Sequence, residues 1–83
     1  MGYAKADNLL KADKFLDVQG LFCPKPIVMT AGTLKSMDKG QILQVVCSDN
    51  TAKLSIPMLC ERGSFKLLDL TEGNGVLNFF IQK

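Results

Sequence analysis

Phe15-Leu16-Asp17-Val18-Gln19-Gly20-Leu21-Phe22-Cys23-Pro24-Lys25-Pro26 is the stretch on which the fold turns. Residues 15–18 read as a short strand, and Gln19-Gly20 as the turn leaving it. Beyond the prolines, Ile27, Val28, Ala31 and Leu34 recur at helical spacing. The cysteine therefore falls where a strand hands over to a helix. Proline suits a helix's first turn, because the N–H it lacks would have no partner there. With Pro24 as the first helical residue, Cys23 is the N-cap, and the residue before a proline is already biased to the extended backbone a cap requires. Pro24 and Pro26 donate nothing, so the free donors near the sulfur are expected to be the N–H groups of Lys25 and Ile27, at the positive end of the helix dipole. A thiol so placed is expected to ionise more easily than an ordinary one, and the Lys25 charge adds to this if its side chain turns back. A packed, inert cysteine ahead of a proline-started helix fits the same residues, and Cys-Pro-x-Pro alone leaves both readings open.

Outward from this junction the chain alternates strand and helix. The first helix is predicted over 24–37, with Ile27, Val28, Ala31 and Leu34 as its apolar face, and Asp38-Lys39-Gly40 ending it. Residues 41–47 form a strongly β-prone run with Leu43, Val45 and Cys47 on one face and Ile42, Gln44 and Val46 on the other. Ser48-Asp49-Asn50 then stops the strand, and Asp49 or Asn50 caps a second helix over 51–62. Ala52, Ile56, Leu59 and Cys60 make its buried stripe, Pro57 is expected to kink it or loosen its first half, and Gly63 closes it. A strand over 64–70, a turn at 71–75 and a strand over 76–81 finish the chain. The order β-α-β-α-β-β, with parallel crossovers of one hand, predicts an α/β (α+β) two-layer sandwich. In it, two helices lie on one face of a mixed four-stranded sheet. Ile42, Val46, Val76 and Phe80 then fall on the other face, which is either a partner surface or the ordinary apolar exposure of a small sheet.

Composition narrows the function classes. The 83 residues suffice for one small domain, with residues 1–14 read as a flexible arm and 15–83 as the folded unit. A net charge of +2 with interspersed signs argues against direct nucleic-acid binding. No apolar run is long enough to span a membrane, and no signal-peptide core opens the chain. Histidine is absent, and Cys23, Cys47 and Cys60 form no CxxC pair. That argues against a metal site, a Cys–His catalytic pair and a dithiol redox protein, and for a reduced, cytoplasmic protein without a cofactor. Cys60 and Cys47 read as packed residues, and Cys47 alternatively as a partner that resolves Cys23.

The stretch Leu16-Asp17-Val18-Gln19-Gly20-Leu21-Phe22-Cys23-Pro24-Lys25-Pro26 resembles the Leu-Asp-x-x-Gly-x-x-Cys-Pro-x-Pro signature of the TusA/SirA-like sulfur carriers. The Ile56-Pro57 pair and the Asp38–Gly40 turn fit as well, whereas Gln19 stands where many members carry arginine. The resemblance implies an α/β sandwich like that of the translation-initiation-factor C-terminal domain. It implies Cys23 as the persulfide acceptor, supported by Asp17, Gly20, Pro24, Lys25 and Pro26. It implies a cysteine desulfurase or rhodanese-like sulfur donor and a downstream acceptor protein, serving tRNA thiolation, molybdenum-cofactor synthesis or sulfur oxidation. The chain itself is expected to be a monomer or weak dimer, a sulfurtransferase-type shuttle whose own turnover is left open. The competing reading is a nucleic-acid-binding or regulatory module of the same fold.

Overall fold

The structure is a computed structural model and describes residues 12–83. The elements run β1 (Lys14–Asp17), α1 (Lys25–Ser36), β2 (Ile42–Cys47), α2 (Ala52–Gly63), β3 (Lys66–Gly73) and β4 (Val76–Gln82). One four-stranded sheet has the order β1-β2-β4-β3. β1 and β2 are parallel, and β4 pairs antiparallel with both β2 and β3. The sandwich expected from the element order is thus present, with β4 returning between two strands that precede it. Most of the expected arm, residues 1–11, lies outside the described residues. Asp13 and Lys14 already belong to the folded unit, since Asp13 exchanges two hydrogen bonds with Ile42.

Period-two alternation sets the sheet faces. Leu43, Val45 and Cys47 of β2 and Leu77, Phe79 and Ile81 of β4 are all at or below 1% exposure. They meet Leu34, Ala52, Ile56 and Cys60 from the helices in one core. Both helices therefore lie on the same face. On the other face Ile42, Val76 and Phe80 are half-buried, and a polar pair interrupts the apolar row, the Gln44 amide donating to Asn78 Oδ1 at 3.0 Å.

The faces of α2 are as expected, but those of α1 are rotated. Its buried stripe is Pro26, Thr30 and Leu34, continued by Met37, while Val28 points outward at 62% exposure. The apolar residues at 27, 28 and 31 concealed this, because the inward positions carry a proline and a threonine. Thr30 can be buried because its hydroxyl donates to the Pro26 carbonyl at 2.7 Å, which leaves no unpaired polar atom.

Other boundaries also move. Both caps fall one or two residues later than the sequence suggests, with Pro24 rather than Cys23 capping α1, and Thr51 rather than Asp49 or Asn50 capping α2. The first turn of α2 is tight: Ala52, Lys53 and Leu54 donate three residues back, to Asp49, Asn50 and Thr51. The helix then continues through Pro57 to Gly63 without a break. Its end is turned by Ser64 at φ 61°. Gly63 serves a different need, since a side chain there would run into the Phe65 ring. β3 begins at Lys66 and extends to Gly73, so the turn to β4 is only Asn74-Gly75, at φ 54° and 75°. Positive φ at both central residues is the two-residue hairpin turn that fits sheet twist.

The end of α1 is satisfied by a side chain from far along the chain. Lys83 Nζ donates to the carbonyls of Lys35 at 2.9 Å and Met37 at 2.8 Å, where a cation also suits the helix dipole. Lys83→Met keeps the stem and removes both bonds. It is expected to cost about 1 kcal/mol, read as a fall of roughly 4–8 °C in Tm by thermal circular dichroism.

Candidate functional site at the Cys23 loop

Parallel pairing of β1 with β2 brings the exits of the two strands to one rim of the sheet. Asp17 lies opposite Val46, and the Val18 N–H donates to the Val46 carbonyl at 2.8 Å. The loop carrying Cys23 leaves β1 there, directly beside the segment that leaves β2. Asp17 starts the loop by accepting the Gln19 N–H on Oδ1 at 3.0 Å. Gly20 follows at φ 84°, a conformation in which a side chain would be strained, and Leu21 N–H closes the turn onto the Val18 carbonyl.

Two residues of the β2–α2 junction then grip the loop. Ser48 Oγ accepts the Gly20 N–H at 2.9 Å, and Asp49 Oδ2 accepts the Cys23 N–H at 2.8 Å. The other oxygen, Oδ1, accepts the Thr51 N–H at 3.0 Å. These bonds hold the Asp49 carboxyl below the usual carboxylate range, with the Thr51 backbone contributing most and the Cys23 amide next. The sequence marks Ser48-Asp49 only as a strand stop. Their hold on Cys23 becomes visible once the two rims are adjacent, which strand spacing along one chain does not reveal.

Cys23 itself is exposed, whereas Cys47 and Cys60 are buried. It lies in an open depression of about 310 Å³ lined by Gly20, Leu21, Phe22, Cys23, Pro24 and Lys25. Phe22 beside it is 72% exposed. Of the two amides expected to remain free at the helix start, that of Lys25 is engaged, donating to the Phe22 carbonyl at 3.0 Å. Pro24 supplies the carbonyl for the Val28 N–H, and Pro26 is buried under the first turn. The residues singled out from sequence thus share one loop and one helix start.

The other thiols differ in kind. Burial pushes Cys60 up to about 11. Cys47 is also raised, chiefly by burial, with a hydrogen bond from the Asp49 backbone opposing and the Asp49 charge adding. Its sulfur accepts the Asp49 N–H at 3.3 Å, so it is turned to the junction backbone.

Residues 14–83 match the family model of the sulfurtransferase TusA. The chain belongs to the TusA family of sulfur carriers. Among similar proteins, YrkI of Bacillus subtilis is 40% identical over 74 residues, covering 89% of this chain and 99% of that one. The sulfur carrier protein TusA of Pseudomonas putida is 31% identical over 71 residues, covering 86% and 89%. A crystal structure of a SirA-like protein from Desulfitobacterium hafniense shares the fold with a TM-score of 0.73, covering 83% of this chain and 95% of that one at 18% identity. Carriers of the TusA family work with sulfur donors and acceptors. Among the described residues no helix is long and apolar enough to cross a membrane.

Proposed function

We propose that this carrier accepts a sulfane sulfur on Cys23 as a persulfide and hands it to an acceptor thiol on another protein. The observation that carries the reading is the contrast between one exposed cysteine, on a loop fixed at its start and at the thiol residue itself, and two buried ones. In the loading step the Cys23 thiolate attacks the outer sulfur of a donor persulfide. A Cys23–S bond forms, the donor S–S bond breaks, and the donor leaves as its thiolate. Unloading is the same step with Cys23 as leaving group, so no net oxidant or reductant is consumed. Cys23 lies exposed just ahead of the first turn of α1, open to a donor in one step and to an acceptor in the other.

The supporting residues have separate tasks in this proposal. Asp17 and Gly20 shape the turn, Pro24 and Pro26 fix the helix entry, and Lys25 puts an exposed cation on the rim of the depression that holds Cys23. A cysteine desulfurase or rhodanese-like protein is the proposed donor, and the acceptor belongs to tRNA thiolation, molybdenum-cofactor synthesis or sulfur oxidation.

The test is intact-mass analysis after incubation with a cysteine desulfurase and cysteine, or with inorganic polysulfide. The expected product carries one added sulfur on the peptide containing Cys23 and loses it to reductant. Protein that gains no sulfur from either source would overturn the proposal.

A further inference from the structure

The geometry points to Asp49 as a positioning residue for sulfur transfer, acting through the backbone of Cys23. This rests on the proposal that Cys23 is the sulfur acceptor. Asp49 accepts the Cys23 N–H with one carboxylate oxygen, while the other holds the start of α2 through Thr51. A single carboxylate thereby joins the thiol loop, which precedes α1, to the first turn of the other helix. The carboxylate is itself seated, since the Asp49 N–H rests on the sulfur of Cys47, a residue with no exposed surface. A buried thiol thus fixes the Asp49 backbone, and the Asp49 side chain fixes Cys23. Ser48 holds the other end of the loop at Gly20, which limits the swing of residues 20–23 as a unit.

The arrangement needs two acceptor atoms at one position. Asparagine is nearly the same shape but offers one acceptor and one donor, so one of the two N–H groups would meet an N–H. Transfer between two proteins requires the sulfurs to meet in line, and misplacement of a reacting group by about 1 Å can cost up to about a hundredfold. A small reagent that approaches from any side has no such requirement.

Asp49→Asn and Asp49→Ala are compared with wild type and with Lys83→Met, a destabilised control whose substitution lies outside the loop. Sulfur loading from a cysteine desulfurase with cysteine is expected to slow by about tenfold or more in both Asp49 variants. Alkylation of Cys23 by iodoacetamide is expected to stay within about twofold of wild type, and Lys83→Met to load at the wild-type rate. Loading and alkylation falling together, or loading unchanged in the Asp49 variants, would overturn the inference while leaving Cys23 as the acceptor. Wild-type protein that takes no sulfur would instead remove the reading beneath it. A second measurement needs no donor. In wild type the amide protons of Cys23 and Thr51 are expected to shift together, with one midpoint below the ordinary carboxylate range, as Asp49 is protonated. Independent behaviour of the two amides would overturn the bridge.

Discussion

Cys23→Ser is expected to abolish sulfur uptake, while Cys60→Ser still takes up one reductant-sensitive sulfur per chain. Serine keeps the size of the side chain and the Cys23 N–H bond to Asp49, but its hydroxyl cannot form a persulfide. No other thiol can substitute. Cys47 and Cys60 are 0% and 3% exposed, so a partner's sulfur cannot reach them in the folded chain. Chemistry adds to access: with the Cys60 thiol at about 11, only about one part in a thousand is thiolate at pH 8, and the thiolate is the nucleophile. Intact-mass spectra of the variants, taken with the same donor, check this. An adduct of wild-type size on Cys23→Ser would place the acceptor elsewhere.

Phe79→Ala carries the largest expected loss of stability. Phe79 is fully buried on β4, facing Val45 of β2 across one ladder and Leu70 of β3 across the other. Truncating a buried phenylalanine costs about 3–5 kcal/mol, through lost transfer energy and the cavity left behind. A domain of this size has about 4–12 kcal/mol in total. The variant is therefore expected to unfold at a much lower urea midpoint, with Tm reduced by roughly 12 °C or more. Phe80→Ala is the comparison. Phe80 is half-buried on the opposite face, and its loss is expected to be clearly smaller. Equal losses at the two positions would contradict the assignment of the core to the helix side of the sheet.

Much of this architecture was legible in the residues because period and punctuation agreed. Leu43, Val45 and Cys47, and Leu77, Phe79 and Ile81, all face the core as a period of two predicts, although Val46 on the other face of β2 is buried too, at 8% exposure. Helix α1 misleads for a physical reason. Its inward positions are held by Pro26 and Thr30, residues that become buriable only because each satisfies the other's backbone or hydroxyl. Gly63 misleads similarly, since glycine is needed there for lack of a side chain and Ser64 takes the left-handed turn. At the site, the local part was readable: Cys23, Gly20 and the prolines lie in one run. The grip of Ser48 and Asp49 was not, because it depends on strands β1 and β2 being neighbours in space.

The strand order has a consequence for how the chain is assembled. β4 is the last of these strands in the sequence, yet it sits second from the edge and supplies the ladder to both β2 and β3. A lone parallel pair of strands has no stability of its own, so the β1–β2 contact that brings the Cys23 loop to Asp49 is secured only when β4 joins the other side of β2. Until β4 pairs with it, β2 presents a raw edge of unpaired backbone groups. Closure waits on residues 76–82, so the shape of the thiol loop depends on a strand far from it in the sequence. A nascent chain would rely on the emergence of β4 to escape strand pairing with its neighbours.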